Sequence, residues 1–338
     1  MPNERTYLSQ PLVTSIYTAD PSAHIFAGRI HVYTTHDIDA PPLSNSPPFT
    51  DASGNMFATR DYHVLTMDHV GGPVTVHPRA LDINDVPWAA RQLWAPDAAE
   101  KDGTYYLYFP AKDHQGVFRI GVATSHDPVG PFVAQPKPIA GSYSIDPAVF
   151  TDDDGESYLY FGGIGPGQLH SIHDGDYRPS AVTEDTKDAE VQAFMPRVAR
   201  LSHNMFEFAE PPSEVLIIDE NGAPLKRNDN ARRFFESAWL HKYAGRYYLS
   251  YSSGDTHFIA YAIGDSPYGP FTYCGIILLP VLGWTTHQSI VAADGRWWLF
   301  YHDCQLSGDT KLRNVKVTEL VHEEDGTIRT IDPFGRSD

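Results

Sequence analysis

Three acidic residues stand in the same sequence setting. Asp20, Asp146 and Glu236 each precede a glycine turn and an aromatic strand, in YTADPSAHIFAGRIHVYTT, SIDPAVFTDDDGESYLYFGG and FFESAWLHKYAGRYYLSYSS. Trp94, in LWAPDAAEKDGTYYLYFPA, and His287, in THQSIVAADGRWWLFYHD, take the equivalent place in two further segments. The gap from each of these positions to its glycine (Gly28, Gly103, Gly155, Gly245, Gly295) is eight or nine residues. That is one short strand and a tight hairpin turn. Buried acids are costly unless they are paired or used, and crowding of like charge should raise at least one carboxyl pKa. Such a set suits cleavage of a glycosidic bond. One carboxylate activates a water and one carboxylic acid protonates the leaving oxygen. A third carboxyl can keep the acid protonated near neutral pH, and an indole offers a flat face to a sugar ring.

The elements that would position these groups repeat as well. IGVATSHDPVGPF and IAYAIGDSPYGPF share a strand and a closing Pro-x-Gly-Pro-Phe turn, and LRNVKVTEL keeps the strand alone. Each unit therefore reads as three or four antiparallel strands, and sustained helical periodicity is missing. Five such units around an axis make an all-β, five-bladed β-propeller, taken here as one domain over residues 1–338. Equal offsets in the blades would then place Asp20, Trp94, Asp146, Glu236 and His287 in one ring. Residues 38–92, with the pairs Pro41-Pro42 and Pro47-Pro48, and residues 171–233 are long insertions expected to lie at one end and shape a pocket.

Composition narrows the partners. With a formal net charge of −18, nucleic acid and anionic membranes are disfavoured, and a neutral or cationic small ligand is expected. The N-terminus lacks a basic start followed by an apolar stretch, so no signal peptide is expected and a cytoplasmic location follows. The most apolar run, IILLPVLGW, is too short to span a bilayer. Cys274 and Cys304 show no metal-ligand spacing and read first as buried thiols.

TADPSAHIF, LWAPDAAEKDGTYYLYFPA, SIDPAVF, FESAWLHKYAGRYYLSYS and THQSIVAADGRWWLFYHD together resemble glycoside hydrolase family 43, in the family's order across residues 18–303. That resemblance implies Asp20 as general base, Asp146 as the group that sets the acid's pKa and position, and Glu236 as general acid. It implies His287 as the axial histidine that approaches a central calcium ion through water, and Trp94 as a wall of the substrate pocket. Trp88 and Asp37 are further pocket candidates, and Arg313, from the last blade, is a candidate for binding a hydroxyl or a carboxyl. The TDDDGES acids read instead as a solvated hairpin turn. Many β-xylosidases of the family carry a β-sandwich domain after the propeller, and none is expected within this chain.

The expected activity is an inverting exo-glycosidase. It would remove non-reducing-end β-1,4-xylosyl residues from small xylo-oligosaccharides, with α-L-arabinofuranosides as a second substrate class. An α-L-arabinofuranosidase or arabinanase, and a non-catalytic carbohydrate-binding propeller, are the alternatives.

Overall fold

The computed structural model describes residues 6–40, 56–173, 176–178, 191–254 and 257–335. The two proline pairs in the first insertion lie outside the described residues. Five sheets, antiparallel except where Ile217–Ile218 pairs in parallel with Phe271–Leu278, form the blades of a propeller. Their inner strands are Tyr17–Phe26, Asp97–Lys101, Ala148–Thr151, Phe234–Tyr243 and Gln288–Ala293. The first blade runs outward through Arg29–Asp37, Asp61–Met67 and Thr75–Asp82, and the last has three strands, ending with Arg296–Asp303 and Asn314–Leu320.

The repeated glycines close the hairpin between the first two strands of each blade. In four blades the loop is two residues long, as the pairs Phe26–Arg29, Lys101–Thr104, Tyr243–Arg246 and Ala293–Arg296 show. Both loop residues then have positive φ, for example Asp102 at 52° and Gly103 at 75°. This is the turn whose twist matches that of the strands. The third blade uses a longer loop between Thr151 and Ser157. Its acids hold the fourth blade: Lys242 reaches Asp152 and Asp153 at 2.7 Å each.

The aromatic strands pack blade against blade. One apolar cluster joins the first and second blades around Tyr33, Tyr62, Leu107 and Phe109. Others join the second through fourth, the fourth and fifth, and the fifth back to the first. Full burial of one such large side chain contributes about 1.5–3 kcal/mol. The tyrosines also reach across the seams. Tyr33 donates to the Pro128 carbonyl, Tyr108 to that of Met205 and Tyr160 to that of Pro267. Pro128 and Pro267 belong to the two Pro-x-Gly-Pro-Phe turns, so the two sequence repeats meet there. Cys304 is buried as expected, whereas Cys274 is exposed near the edge of its sheet, and both thiols are free.

Candidate active site

At the end of the axis where the inner strands begin, a small pocket opens to the surface. Asp20, Asp146, Glu236, His287, Trp94 and Arg313 line it together. Irregular backbone sets the acids there. The first inner strand is bulged between Ala19 and Ser22, and the fourth between Phe234 and Trp239. Asp20, Asp146 and Ser237 adopt φ of 53°, 55° and 62°, a left-handed conformation that costs non-glycine residues about 1–3 kcal/mol each. Bulges of this kind re-aim side chains out of a regular ladder.

Asp20 is fixed from three sides. Thr35 donates its hydroxyl to one carboxylate oxygen at 2.9 Å, and Arg313 donates to the other at 3.0 Å. The Asp20 N–H donates to Nδ1 of His302 at 3.1 Å. That bond leaves the His302 proton on Nε2, facing Thr285. Burial is the largest single influence and works against the Asp20 charge, but the Arg313 guanidinium, the two nearby imidazoles and the Thr35 hydroxyl together outweigh it and hold the carboxyl below its usual range. His302 is buried and falls to about 3, so the ring is neutral.

Asp146 is in the opposite state. Burial first, and then the neighbouring Asp20 charge, push its carboxyl up to about 8. The crowding expected from the sequence therefore appears on Asp146. The Ser237 hydroxyl donates to Asp146 at 3.0 Å and lies 2.8 Å from Nδ1 of His287. A serine with one proton to give accepts from Nδ1–H of His287, which leaves Nε2 of that ring as a lone pair. Burial lowers the His287 pKa to about 4. Glu236 is half-buried beside Ser237 at the mouth of the fourth inner strand. Gly163 lets the neighbouring loop approach it. A Cβ there would lie 2.6 Å from Ile145 and 3.2 Å from the Glu236 Cβ.

Two residues fall elsewhere than the sequence suggested. Asp37 is buried behind Arg313, bonded to its Nε and Nη2 at 2.8 Å each and to its backbone N–H at 2.9 Å. It orients the guanidinium and does not face the pocket. Trp88 is carried outward by the turn at Ile83–Asp85 and stacks on Phe109, with ring centroids 5.9 Å apart. Trp94 does wall the pocket, its indole N–H held by the Phe57 carbonyl at 3.0 Å.

Sequence reasoning did not single out Phe57, Trp284, Thr285, Thr35 or His302. Phe57, from the first insertion, lies under the Arg313 guanidinium at 4.8 Å. Trp284 lines the pocket while 43% exposed and sits at right angles to Phe235. His302 and Trp284 lie within a few residues of recognised motifs, but neither has a counterpart at the repeated offset.

Calcium takes roughly six to eight oxygen ligands. Beside His287 the protein offers the free Nε2 lone pair and, on the next residue, the buried and unpartnered Gln288 Oε1. Asp97, which interacts electrostatically with His287, already accepts from Ser22, His24 and the Val149 N–H. The donors present fit an ion held mainly through water.

The profile of the glycosyl hydrolases family 43 matches residues 75–328. A protein of Humicola insolens named xylosidase/arabinosidase 43A is 54% identical, over 96% of this chain and 99% of its own. A β-xylosidase/α-arabinofuranosidase from a compost microbial metagenome was solved with xylotriose in a calcium-free form. It is 57% identical, with a TM-score of 0.93, covering 98% of this chain and 99% of that one. A Xanthomonas citri enzyme, also solved with xylotriose, is 54% identical with a TM-score of 0.90, over 98% and 96%.

Proposed function

The chain belongs to glycosyl hydrolases family 43, and from that premise we propose that it is an inverting exo-β-xylosidase acting on small xylo-oligosaccharides. Terminal α-L-arabinofuranosides are its second substrate class. The observation that carries this reading is the division of labour among the buried carboxyls. Asp20 is held ionised by Arg313, while Asp146 is held protonated across the same pocket. A non-catalytic sugar-binding site has no use for that difference. Names of relatives that pair xylosidase with arabinosidase support the dual specificity.

The water proton passes to the Asp20 carboxylate as the water oxygen bonds to the anomeric carbon. The bond from that carbon to the leaving oxygen breaks on the opposite face, and Glu236 gives its proton to that oxygen. Configuration inverts, so a β-xyloside releases α-xylose. Asp146, kept neutral, adds no second negative charge beside the base. Trp94 faces the bound sugar, and Trp284 at the mouth meets the leaving residue. Calcium belongs beside His287, held mainly through water.

The test follows xylobiose, p-nitrophenyl β-xyloside and p-nitrophenyl α-L-arabinofuranoside by NMR. It uses the wild type and Glu236→Gln, with EDTA and with added calcium. The expected first product is α-xylose, lost for xylobiose in the variant and reduced by EDTA. Release of β-xylose would overturn the inverting assignment. Cleavage of the arabinofuranoside alone would replace the xylosidase reading with the arabinofuranosidase one.

A further inference from the structure

A second cluster of ligating side chains lies between the two middle strands of the first blade. His36 ends one strand, and Asp61 and His63 begin its neighbour. The ladder pairs Thr34 with His63 and Thr35 with Tyr62. In the same register His36 and Asp61 stand opposite one another, so all three side chains share one face. Nδ1 of His36 lies 3.0 Å from one Asp61 oxygen, and Nε2 of His63 lies 3.0 Å from the other. The imidazole centroids are 4.4 Å apart. One donor atom from each residue falls within 4.8 Å of the others.

We infer that His36, Asp61 and His63 form a binding site for a divalent transition-metal ion of the zinc type, separate from the catalytic pocket. Two imidazole nitrogens and one carboxylate are a donor set that such ions favour and that hard oxygen-seeking ions do not. The separations between the groups match ligands gathered around one ion at about 2.0–2.2 Å from each. Access is available, since the His36 side chain is 25% exposed, whereas His63 is 7% exposed. A second observation concerns His63. Its Nδ1 is buried without a hydrogen-bond partner, so Asp61 is the one polar group that the described residues give this ring. An ion sharing Asp61 would bind this ring through Nε2, the nitrogen that faces Asp61, and fix both imidazoles. The acidic charge of the chain favours entry of a cation.

His36 lies in the chain between two residues that matter to the pocket. Thr35 and Asp37 flank His36 in the chain and hold Asp20 and Arg313. Binding here would clamp the ends of two strands in the blade that carries Asp20.

The experiment dialyses the full chain against EDTA and titrates it with zinc and, separately, with calcium, by calorimetry and thermal unfolding. The variants are His36→Gln, which can still hydrogen-bond Asp61 from the surface, and Asp61→Asn. His322→Gln controls for the unrelated His241–His322 pair, and Glu236→Gln controls for the pocket. The expected result is one zinc per wild-type chain and a Tm rise of roughly 5 °C at hundredfold excess over Kd. Zinc affinity should fall at least about tenfold in His36→Gln and in Asp61→Asn, and stay unchanged in both controls. Calcium should not compete. Saturable zinc binding that survives both site variants, or no Tm shift in the wild type, would overturn the site. Because xylosidase turnover is not the readout, either result leaves the proposed reaction to its own test.

Discussion

The two ends of the propeller axis are made from the same inner strands and differ in almost every other respect. One end holds the pocket with Asp20, Asp146, Glu236 and His287. The other is a wider hollow, lined by the continuations of those strands, such as Phe26, Phe150, Trp239 and Ile290. At the pocket end two inner strands are bulged, and Asp20, Asp146 and the Ser237 that follows Glu236 sit in left-handed backbone. At the far end the pairing is regular down to the hairpins. Charged groups there are spent on neighbours: Lys242 on Asp152 and Asp153, and Glu100 on the Gly103 N–H. Width and depth therefore do not locate the chemistry. Convergent charge held on irregular backbone does.

The sharpest way to break this contrast is to remove charge at each end. Glu236→Gln should lower kcat/KM for xylobiose by about 10²–10⁴-fold, while Lys242→Met at the far end should change it less than about twofold. Steady-state kinetics on both variants measures the difference, and equal losses would erase it.

Asp146→Asn separates activity from stability. Between the ordinary carboxyl value of 3.8 and the folded value of about 8, the unfolded chain has released this proton and the folded chain still holds it. The stability linked to the group is thus complete below about pH 4 and is lost as pH rises toward 8. The Asn variant should lose activity yet gain about 4 kcal/mol at pH 7, read by denaturant unfolding across that pH window. In the wild type, kcat/KM should fall as pH rises through about 8 and Asp146 ionises.

A smaller effect is expected from Arg313→Lys. It keeps the charge but loses the two-pronged bond to Asp37. We expect a drop in kcat/KM of about 10–100-fold from misplacement of Asp20, against little change in substrates bound in the ground state. An unchanged kcat/KM would remove Arg313 from the positioning of the base.

Much of this contrast was legible in the sequence, because each blade repeats within a short stretch. A constant offset to a φ-positive glycine predicted the hairpins and brought Asp20, Trp94, Asp146, Glu236 and His287 to one pocket. The support around them was not legible. Asp37 looked like a rim acid because nothing local shows that Arg313, 276 residues away, arrives behind it. Trp88 looked like a pocket wall because it lies near Trp94 in the chain, but a single turn sends it outward onto Phe109. Phe57 and Trp284 are lone loop aromatics without repeated counterparts.

Arg313 comes from the last blade and Asp20 from the first, 293 residues apart. Until the chain's two ends have met, the base lacks the cation that keeps it ionised. The enzyme therefore switches on last during its own synthesis and switches off first when heated. Activity should disappear as the terminal blade frays, ahead of any change in the circular dichroism of the remaining sheets. Loss of the two signals together would show that the seam opens only with the whole ring.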